Sequence, residues 1–457
     1  MNSIFLFVSI YLAALILISF WNKKKSAEDF ILAERKLGNW AAANSMAATT
    51  IGGGILLVGG SLIYQFGISA LWFFIGKVIG YLLLILFIHK ISHQIQTKKY
   101  CTLADYFLDT HGQNIGRLVS IFMIIIFVGV SVLGFSGGAQ IITYLSGWSY
   151  NLSVLLMLIF ILLYTIAGGF RNVVRTDFIQ WIAISAIFIL FLFSLKGNLP
   201  LIQSTQWDFW AAGSRFILAF FVAGILFPFS AMEVWQRLYA IEKRKDLLST
   251  MSKFLPMYLL FGVVLCLVVM LIRTFDATLD PEMALVTGIV KIFPSSFVAL
   301  GTVAFFAAIM SSIDSYLFVA NASLVHDWLD RKKKHSSQKI EKNMQWTLLV
   351  FGIIAAGGAI IWKDLLDIAL YFSALTISIS LLTISSWISK QKISESTLLT
   401  GGISSILLVH LSLFFVPVDV NILIIPIIGF VVGLVLDLGF EKLLKLKIDS
   451  SSGENRI

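Results

Sequence analysis

Four side chains with oxygen atoms lie at the centre of an apolar stretch that is long enough to cross a membrane. In the segment Phe305–Asp327 they are Ser311, Ser312, Asp314 and Ser315. Polar groups at such depth are costly and usually mark the path of an ion or a substrate. On a helix, Ala308 shares one face with the three serines. Their hard oxygen donors favour a cation such as Na⁺ over a transition metal, although serines also let helices pack closely.

The composition of the chain is that of an integral membrane protein. Of its 457 residues, 58% are hydrophobic and 13% are charged, whereas a soluble domain has about 25% charged residues. Its mean hydropathy is +0.91. The net charge of +9 follows a topological pattern and does not indicate nucleic-acid binding. Cys101 and Cys266 fall in a predicted cytoplasmic loop and a predicted span, which argues against a disulfide, and no Cys or His spacing indicates a metal site.

Long apolar runs recur along the whole chain and predict thirteen membrane helices. The first is expected to be uncleaved, because Met1–Phe5 carries no positive charge and lysines follow the apolar run instead. The predicted helices are Ile4–Trp21, Asn39–Tyr64, Leu71–Ile91, Ile115–Tyr144, Leu152–Ala167, Val173–Leu195, Ala211–Trp235, Phe254–Ile272, Phe297–Val325, Trp346–Trp362, Leu365–Trp387, Leu398–Val416 and Ile422–Leu438.

The basic residues predict the orientation of these helices. With the N-terminus outside, 28 of the 34 Lys and Arg residues fall at cytoplasmic ends, including the cluster Lys23–Lys25 and a basic tail after Phe440. The six others are Lys77, Lys196, Arg215, Arg273, Lys291 and Lys363. The prediction is therefore a protein of the plasma membrane, the inner membrane in a bacterium, with a cytoplasmic C-terminus and no appended soluble domain.

Two of the predicted helices contain helix breakers at similar depth. Gly52, Gly53 and Gly54 are consecutive in the second helix, and the seventh contains Gly224 and Pro228. Five helices separate the two, as expected if helices two to six and seven to eleven are repeats of opposite orientation. Paired broken helices mark the substrate site of many secondary transporters, because unwound turns expose carbonyl and N–H groups. Close helix packing is the alternative for the glycines, and a simple kink for Pro228.

In chain order, four segments resemble the motifs of the sodium:solute symporter family, whose members include proline, pantothenate, monocarboxylate, sialic acid and sugar symporters. The segments are Ala48–Gly54 with Tyr64–Gly67, Tyr164–Phe170 with Arg175–Gln180, Glu233–Ala240, and Ala307–Ser312. The resemblance implies an all-α membrane protein of about 13 transmembrane helices. Its core would be a five-plus-five inverted repeat with broken first and sixth core helices. The chain would form one transporter domain, 1–457, with an extra N-terminal helix and loop in 1–38, the core in 39–390, and two further helices and a tail in 391–457.

The resemblance also implies where cations bind. A sodium site would use the carbonyls of Ala48, Ile51 and Ala308 and the hydroxyls of Ser311 and Ser312. A possible second cation site would use Asp177, Asp314 and Ser315, although Asp314 departs from the smaller residue common in the family. The alternatives are a cap or salt bridge for Asp177 and a structural ion pair for Asp314.

Further residues are candidates for solute binding, coupling or gating. Lys77 is expected deep in the third helix. One prediction is a structural bridge to an intramembrane acid, and the other is that Lys77 touches the solute or tunes coupling. Glu233, Gln236 and Arg237 are expected at the inner end of the seventh helix, in a gate or capping network. The candidate solute-lining residues are Thr49, Thr50, Gly53, Gly54, Phe227, Ser230, Tyr371 and Ser373.

These features together predict a secondary active transporter that couples Na⁺ to the symport of a small organic solute. Exposed glycine N–H groups favour an amino acid or organic acid over a sugar. The expected partners are the solute, Na⁺ and the lipid bilayer, with no nucleic acid and no cofactor besides the coupling ion. The alternatives are a proton-coupled transporter that titrates Asp177, Asp314 or Lys77, and a membrane solute sensor. An enzyme is disfavoured because no catalytic cluster is evident.

Overall fold

The computed structural model describes residues 2–20, 27–241, 243–331, 336–389, 392–415, 417–437 and 439, and regular secondary structure there is helical throughout. The α-helices are α1 (Asn2–Phe20), α2 (Ala27–Leu32), α3 (Asn39–Thr50), α4 (Gly60–Phe66), α5 (Leu71–Lys98), α6 (Leu103–Thr110), α7 (Gln113–Ser146), α8 (Tyr150–Leu195), α9 (Ser214–Leu226), α10 (Met232–Tyr239), α11 (Arg244–Phe275), α12 (Ala284–Ile292), α13 (Ser295–Leu324), α14 (Ser337–Ile361), α15 (Leu365–Ile388) and α16 (Glu395–Ser412).

The all-helical membrane class is confirmed. In the described part of the chain, nine helices are long and apolar enough to cross a membrane, and two shorter apolar helices cover Leu6–Ser19 and Tyr150–Ile166. One of the nine is the last helical segment, Val420–Asp437. Among the described residues, helical structure covers most of each of the thirteen predicted ranges. The predicted basic cluster Lys23–Lys25 and the basic tail lie outside the described residues.

A single glycine divides the longest helix. In α8, Gly169 has φ 67° and ψ −170°, a backbone conformation that residues other than glycine rarely adopt. A Cβ at this position would also lie 2.7 Å from the ring of Phe30. The break separates the fifth and sixth predicted helices, so those two predictions are confirmed even though the helical segments meet without a loop.

The serine-bearing helix lies at the centre of the molecule. α13 packs along α7 and α8 and also contacts α1, α3 and α14. It belongs to the most buried of the nine candidate spans, in which 89% of the apolar 18-residue stretch lies inside the protein. Ser311, Ser312, Asp314 and Ser315 are therefore surrounded by protein rather than lipid.

Two helices that are more than 100 residues apart in the sequence touch through their backbones. At Gly76 and Gly80 of α5, an added Cβ would lie 2.3 and 2.4 Å from carbonyl oxygens of α9. At Gly224 of α9, it would lie 2.6 Å from the carbonyl oxygen of Phe73. Small residues allow such close approach between helices in membranes. We call this contact the glycine seam.

Alanine at Gly80 should destabilise the protein, because a backbone carbonyl cannot move aside without shifting a whole helix. We expect the free energy of unfolding to fall by about 1–3 kcal/mol, measured as a lower midpoint of thermal unfolding in detergent. Gly357→Ala is the matched control, since nothing lies within 4 Å of its added Cβ. Equal midpoints for the two variants would contradict the seam.

Candidate functional site

The first helix break lies between α3 and the helical turns that follow it. The last bond of α3 joins the N–H of Ile51 to the carbonyl of Ala47, and the next begins at the N–H of Leu56 and reaches Gly52. Ile51 has φ −85° and ψ 36°, outside helical geometry. The carbonyls of residues 48–51 are therefore left out of the helical ladder, as a cation site requires.

This break is narrower than the sequence predicted. Of the three consecutive glycines, only Gly52 lies in it, because helical structure resumes at Gly53 and Gly54 has φ −61° and ψ −42°. A π-helical turn, Ile55–Gly59, follows directly. The glycines thus mark the break correctly, but Gly53 serves close packing, because an added Cβ would lie 2.9 Å from Ile309, whereas one on Gly54 would meet only Leu133 at 3.6 Å.

The second break separates α9 from α10. It consists of the short 3₁₀ turn Phe227–Phe229, which contains Pro228, and a turn at Ser230. The predicted pairing of Gly224 with Pro228 as helix breakers is wrong for the glycine. Gly224 lies inside α9 and belongs to the glycine seam, so its missing side chain serves packing.

Ser312 lies against the first break. Its hydroxyl donates to the carbonyls of Thr49 and Ala308, each at 3.1 Å. A Cβ on Gly52 would lie 1.6 Å from the Ser312 oxygen, 2.7 Å from the Thr49 carbonyl and 3.0 Å from the Ala308 carbonyl. Only glycine leaves room here for three neutral oxygens to converge. Such a set suits a small hard cation.

Ser311 faces a different partner from its neighbour. Its hydroxyl donates to Asp177 Oδ1 at 2.6 Å. Asp177 Oδ2 accepts from Ser45 and, at 3.0 Å, from Nη2 of Arg237. The same guanidinium donates to Ser315 at 2.6 Å and to Ser45 at 2.9 Å. Asp177 and Arg237 are both fully buried and form an ion pair that several hydroxyls complete.

This pair brings together residues that the sequence assigned to separate roles. Asp177 and Ser315 were candidates for a second cation, whereas Arg237 was expected in a gate or cap. The guanidinium of Arg237 instead lies between the other two and also donates to Thr49 at 3.3 Å. Gln236, its neighbour, donates to the carbonyl of Ile31 at 3.4 Å.

Asp314 points elsewhere. Its Oδ2 accepts a hydrogen bond of 2.8 Å from the hydroxyl of Tyr164, which also donates to the carbonyl of Met310. Among the described residues its Oδ1 has no partner, and no basic group lies within 4.0 Å. Within the described residues, the Asp314 carboxylate thus makes no side-chain hydrogen bond to Asp177 or Ser315, and it does not form the structural ion pair that was the alternative.

A cavity of ≈ 120 Å³ lies between the two helix breaks. From the predicted solute residues it is lined by Thr50, Gly54, Phe227 and Ser373. Gly52 lines it as well, so the Ser312 site and the cavity share one residue. Most of the remaining wall is apolar, with Leu133, Phe220 and Leu366 among its members.

Four predicted solute residues do not line this cavity. Thr49 faces Ser311, Ser315 and Arg237, and Gly53 packs on Ile309. The hydroxyl of Ser230 is paired with Ser380 at 2.7 Å, and Tyr371 contacts His410 at 3.1 Å. These residues were predicted from their positions along the chain. They do not line the cavity because a helix presents only one of its sides to it.

Lys77 and Glu233 both line the cavity. The ammonium of Lys77 lies 4.5 Å from the ring centre of Phe227. No carboxylate oxygen of a described residue lies within 4.0 Å of it. The bridge to an intramembrane acid, which was one prediction for Lys77, is therefore not formed in this structure.

Other clusters gave no signal in the sequence. Ser45 joins the Asp177–Arg237 pair although it belongs to no motif. Cys101, Asp105 and His326 lie with ligand atoms within 4.8 Å of one another, although more than 200 residues separate the histidine from the other two. Burial would raise the pKa of Asp105, but the hydrogen bond and charge of His326 outweigh it and lower that pKa.

Comparison with known sequences gives one family match. The profile of the Sodium:solute symporter family matches residues 30–384. Among individual relatives, the osmoregulated proline transporter OpuE of Bacillus subtilis (strain 168) is 26% identical over 374 residues, which are 76% of this chain and 76% of the relative. A sodium/proline symporter of Staphylococcus aureus (strain Newman) is 24% identical and covers 79% of this chain and 75% of its own length.

Solved structures share the fold. A Na⁺-coupled sialic acid symporter, captured in a substrate-bound outward-open state, superposes with a TM-score of 0.78 at 19% identity, covering 95% of this chain and 96% of that one. A transporter of the nucleobase-cation-symport-1 family, in a closed conformation, gives a TM-score of 0.54 at 10% identity, with coverage of 93% and 96%. At these identities the likeness is one of fold.

Proposed function

The chain belongs to the sodium:solute symporter family, and we propose that it couples Na⁺ movement to the uptake of a small organic solute, an amino acid or organic acid rather than a sugar. Family membership assigns it to transporters and not to enzymes. The observation that carries the proposal is the convergence of Ser312, Gly52 and two carbonyls at the first helix break.

The proposed sodium site contains the carbonyls of Ala48, Ile51 and Ala308 and the hydroxyls of Ser311 and Ser312. In support, the carbonyls of residues 48–51 are left out of the helical ladder. The Ser312 hydroxyl already faces the Ala308 carbonyl, and a small rotation would turn its lone pairs toward a cation. Ser311 would have to exchange its bond with Asp177 for the ion.

We further propose that one Na⁺ moves with each solute. The space between Asp177 and Ser315, which a second cation would need, is held by the guanidinium of Arg237. Arg237 would then act as a built-in cation that neutralises Asp177 permanently. A ratio of two ²²Na⁺ ions per solute in proteoliposome uptake would contradict this and favour the second site with Asp177, Asp314 and Ser315.

The architecture we propose is a five-plus-five inverted repeat in 39–390 of thirteen spans, with 1–38 before it and 391–457 after it, the N-terminus outside and the C-terminus cytoplasmic. The fold shared with the sialic acid symporter supports it, as do breaks at Ile51–Gly52 and Phe227–Ser230. Na⁺ would order α3 against α13 and favour solute binding in the cavity. Movement between the repeats would then expose both to the cytoplasm.

Uptake into proteoliposomes tests the function. An inward Na⁺ gradient should accumulate solute, and Ser312→Ala should weaken the apparent Na⁺ affinity about tenfold or more, the equivalent of about 1.4 kcal/mol. Ser323→Ala is the matched control, because Ser323 is equally buried on the same helix, three turns away from Ser312. Accumulation driven by a pH gradient in Na⁺-free buffer would favour proton coupling instead, and accumulation under neither gradient would favour a sensor.

A further inference from the structure

Two opposite charges face one small apolar cavity. Lys77 on α5 and Glu233 on α10 are only 4% and 3% exposed, and both line the cavity between the helix breaks. The other wall residues are mostly apolar, among them Phe73, Val130 and Leu133. An isolated charge is costly in such surroundings, so each group requires a partner of opposite sign.

The two groups are near enough to attract each other through their charges, but they form no direct ion pair. Among the described residues, no carboxylate oxygen lies within 4.0 Å of the Lys77 ammonium, and no basic side chain lies that close to the Glu233 carboxylate. Lys77 lies over the rings of Phe227, Tyr258 and Phe73 at 4.5, 5.5 and 5.6 Å. Arg237 approaches only the backbone carbonyl of Glu233. The cavity therefore presents a positive and a negative group with a gap between them.

Resting on the transport function proposed above, we propose that the solute is a small zwitterion, with its carboxylate on Lys77 and its cationic nitrogen on Glu233. Such a solute neutralises both buried charges at once and adds no net charge to the cavity. Its apolar part packs against Phe227 and Leu133. A small α-amino or imino acid combines the two required charges with an apolar part of this kind.

This arrangement predicts how the site discriminates between solutes. A sugar leaves both charges unpaired, a monocarboxylate leaves Glu233 unpaired, and an amine leaves Lys77 unpaired. Sites with buried polar groups strongly reject analogues that leave those groups without a partner. Sodium is linked to the same solute because Gly52 borders both the cavity and the Ser312 oxygen.

Matched probes separate these possibilities on the purified full-length protein. The zwitterions are glycine, L-alanine, L-proline and L-leucine, and each is compared with its carboxylate-only and its amine-only analogue; for proline these are cyclopentanecarboxylate and pyrrolidine. Glucose represents sugars. We expect at least one zwitterion to bind in the presence of Na⁺, measured by calorimetry and thermal shift, and its two analogues to bind about 100-fold more weakly or worse.

Two substitutions give a crossed pattern that a structural role would not produce. Lys77→Met should weaken zwitterion binding at least about tenfold and change the relative preference toward the amine-only analogue, because Glu233 still requires a cation. Glu233→Gln should change the relative preference toward the carboxylate-only analogue, because Lys77 still requires an anion. Lys363→Met is the control, because Lys363 is an exposed lysine 4.9 Å from the ring centre of Tyr150. It should leave every affinity unchanged.

The outcomes separate the two proposals. Na⁺-driven accumulation of glucose or a monocarboxylate, with zwitterions inert, would overturn the zwitterion assignment and leave Na⁺ symport standing. Equal losses for all three analogue classes in Lys77→Met and Glu233→Gln would also overturn it, since they indicate a structural role. A zwitterion that binds without any Na⁺-driven accumulation would support the assignment and refute symport. Absence of binding by every probe would overturn the zwitterion assignment and leave Na⁺ symport to be decided by the uptake assay.

Discussion

Replacing Gly52 by alanine is expected to remove most of the Na⁺ stimulation of uptake. The new Cβ would lie 1.6 Å from the hydroxyl oxygen of Ser312, so this side chain must leave the carbonyls of Thr49 and Ala308. Because those carbonyls would themselves lie 2.7 and 3.0 Å from the methyl group, the backbone offers little relief. We expect the half-saturating Na⁺ concentration for uptake to rise by a factor of about ten to one hundred, equivalent to about 1.4–2.8 kcal/mol.

Gly60→Ala provides the comparison for this variant. Gly60 follows the same break on α4, but its added Cβ would meet only Leu285, at an ordinary 3.5 Å. It should keep the normal Na⁺ dependence. Thermal shifts with increasing Na⁺ distinguish lost binding from lost folding, because a folded Gly52→Ala protein should lose the Na⁺-induced shift while keeping a cooperative transition. Unchanged Na⁺ dependence in Gly52→Ala would refute the proposed sodium site.

Arg237→Met is expected to be strongly destabilising, because the side chain is fully buried and paired with Asp177. It leaves the carboxylate of Asp177 buried beside hydroxyl groups alone, and removal of one partner from a buried pair costs about 3–5 kcal/mol. Asp177→Asn should cost a comparable amount, since it leaves the guanidinium uncompensated. The midpoint of thermal unfolding in detergent, together with the yield of monodisperse protein, measures both.

The double variant Asp177→Asn/Arg237→Met supplies the decisive comparison. Because it removes both charges, it should be more stable than the sum of the single effects predicts, with a coupling energy of about 0.5–3 kcal/mol. A matched control is Lys291→Met, which breaks the exposed 3.0 Å pair with Asp276 and should lower the midpoint far less than either buried substitution. Strictly additive effects of the two buried substitutions would show that Arg237 and Asp177 do not act as a pair.

The helical framework was predictable because apolar length and basic flanks act locally along the chain. The ends of α15 and the division of α8 near Gly169 agree with the predicted ranges to within a few residues. Gly52 and Pro228 correctly marked the two breaks, since both residue types weaken a helix wherever they occur. Gly224 was misassigned because a glycine that unwinds a helix and one that admits a neighbour look the same in a sequence.

Side-chain partners were less predictable because they depend on tertiary contacts. The depth of Lys77 was evident from the sequence, but its separation from Glu233 depends on how α5 packs against α10. Arg237 lies in the last turn of α10, near a helix end as predicted, but its complete burial was not evident from the sequence. Asp177 and Ser315 were predicted to share a cation, and in the structure both accept hydrogen bonds from the guanidinium of Arg237.

The glycine seam has a mechanical consequence for the charged cavity. Where the backbones meet at Gly76, Gly80 and Gly224, no side chain separates the two helices, so we expect α5 and α9 to move as one rigid body. Lys77 follows Gly76 and Phe227 follows α9, so the ammonium and the aromatic ring keep their spacing. Glu233 lies on α10, on the other side of the second break. The angle between α9 and α10 at this break therefore sets the distance between the Lys77 ammonium and the Glu233 carboxylate. A solute of fixed length that binds both groups would favour one value of this angle.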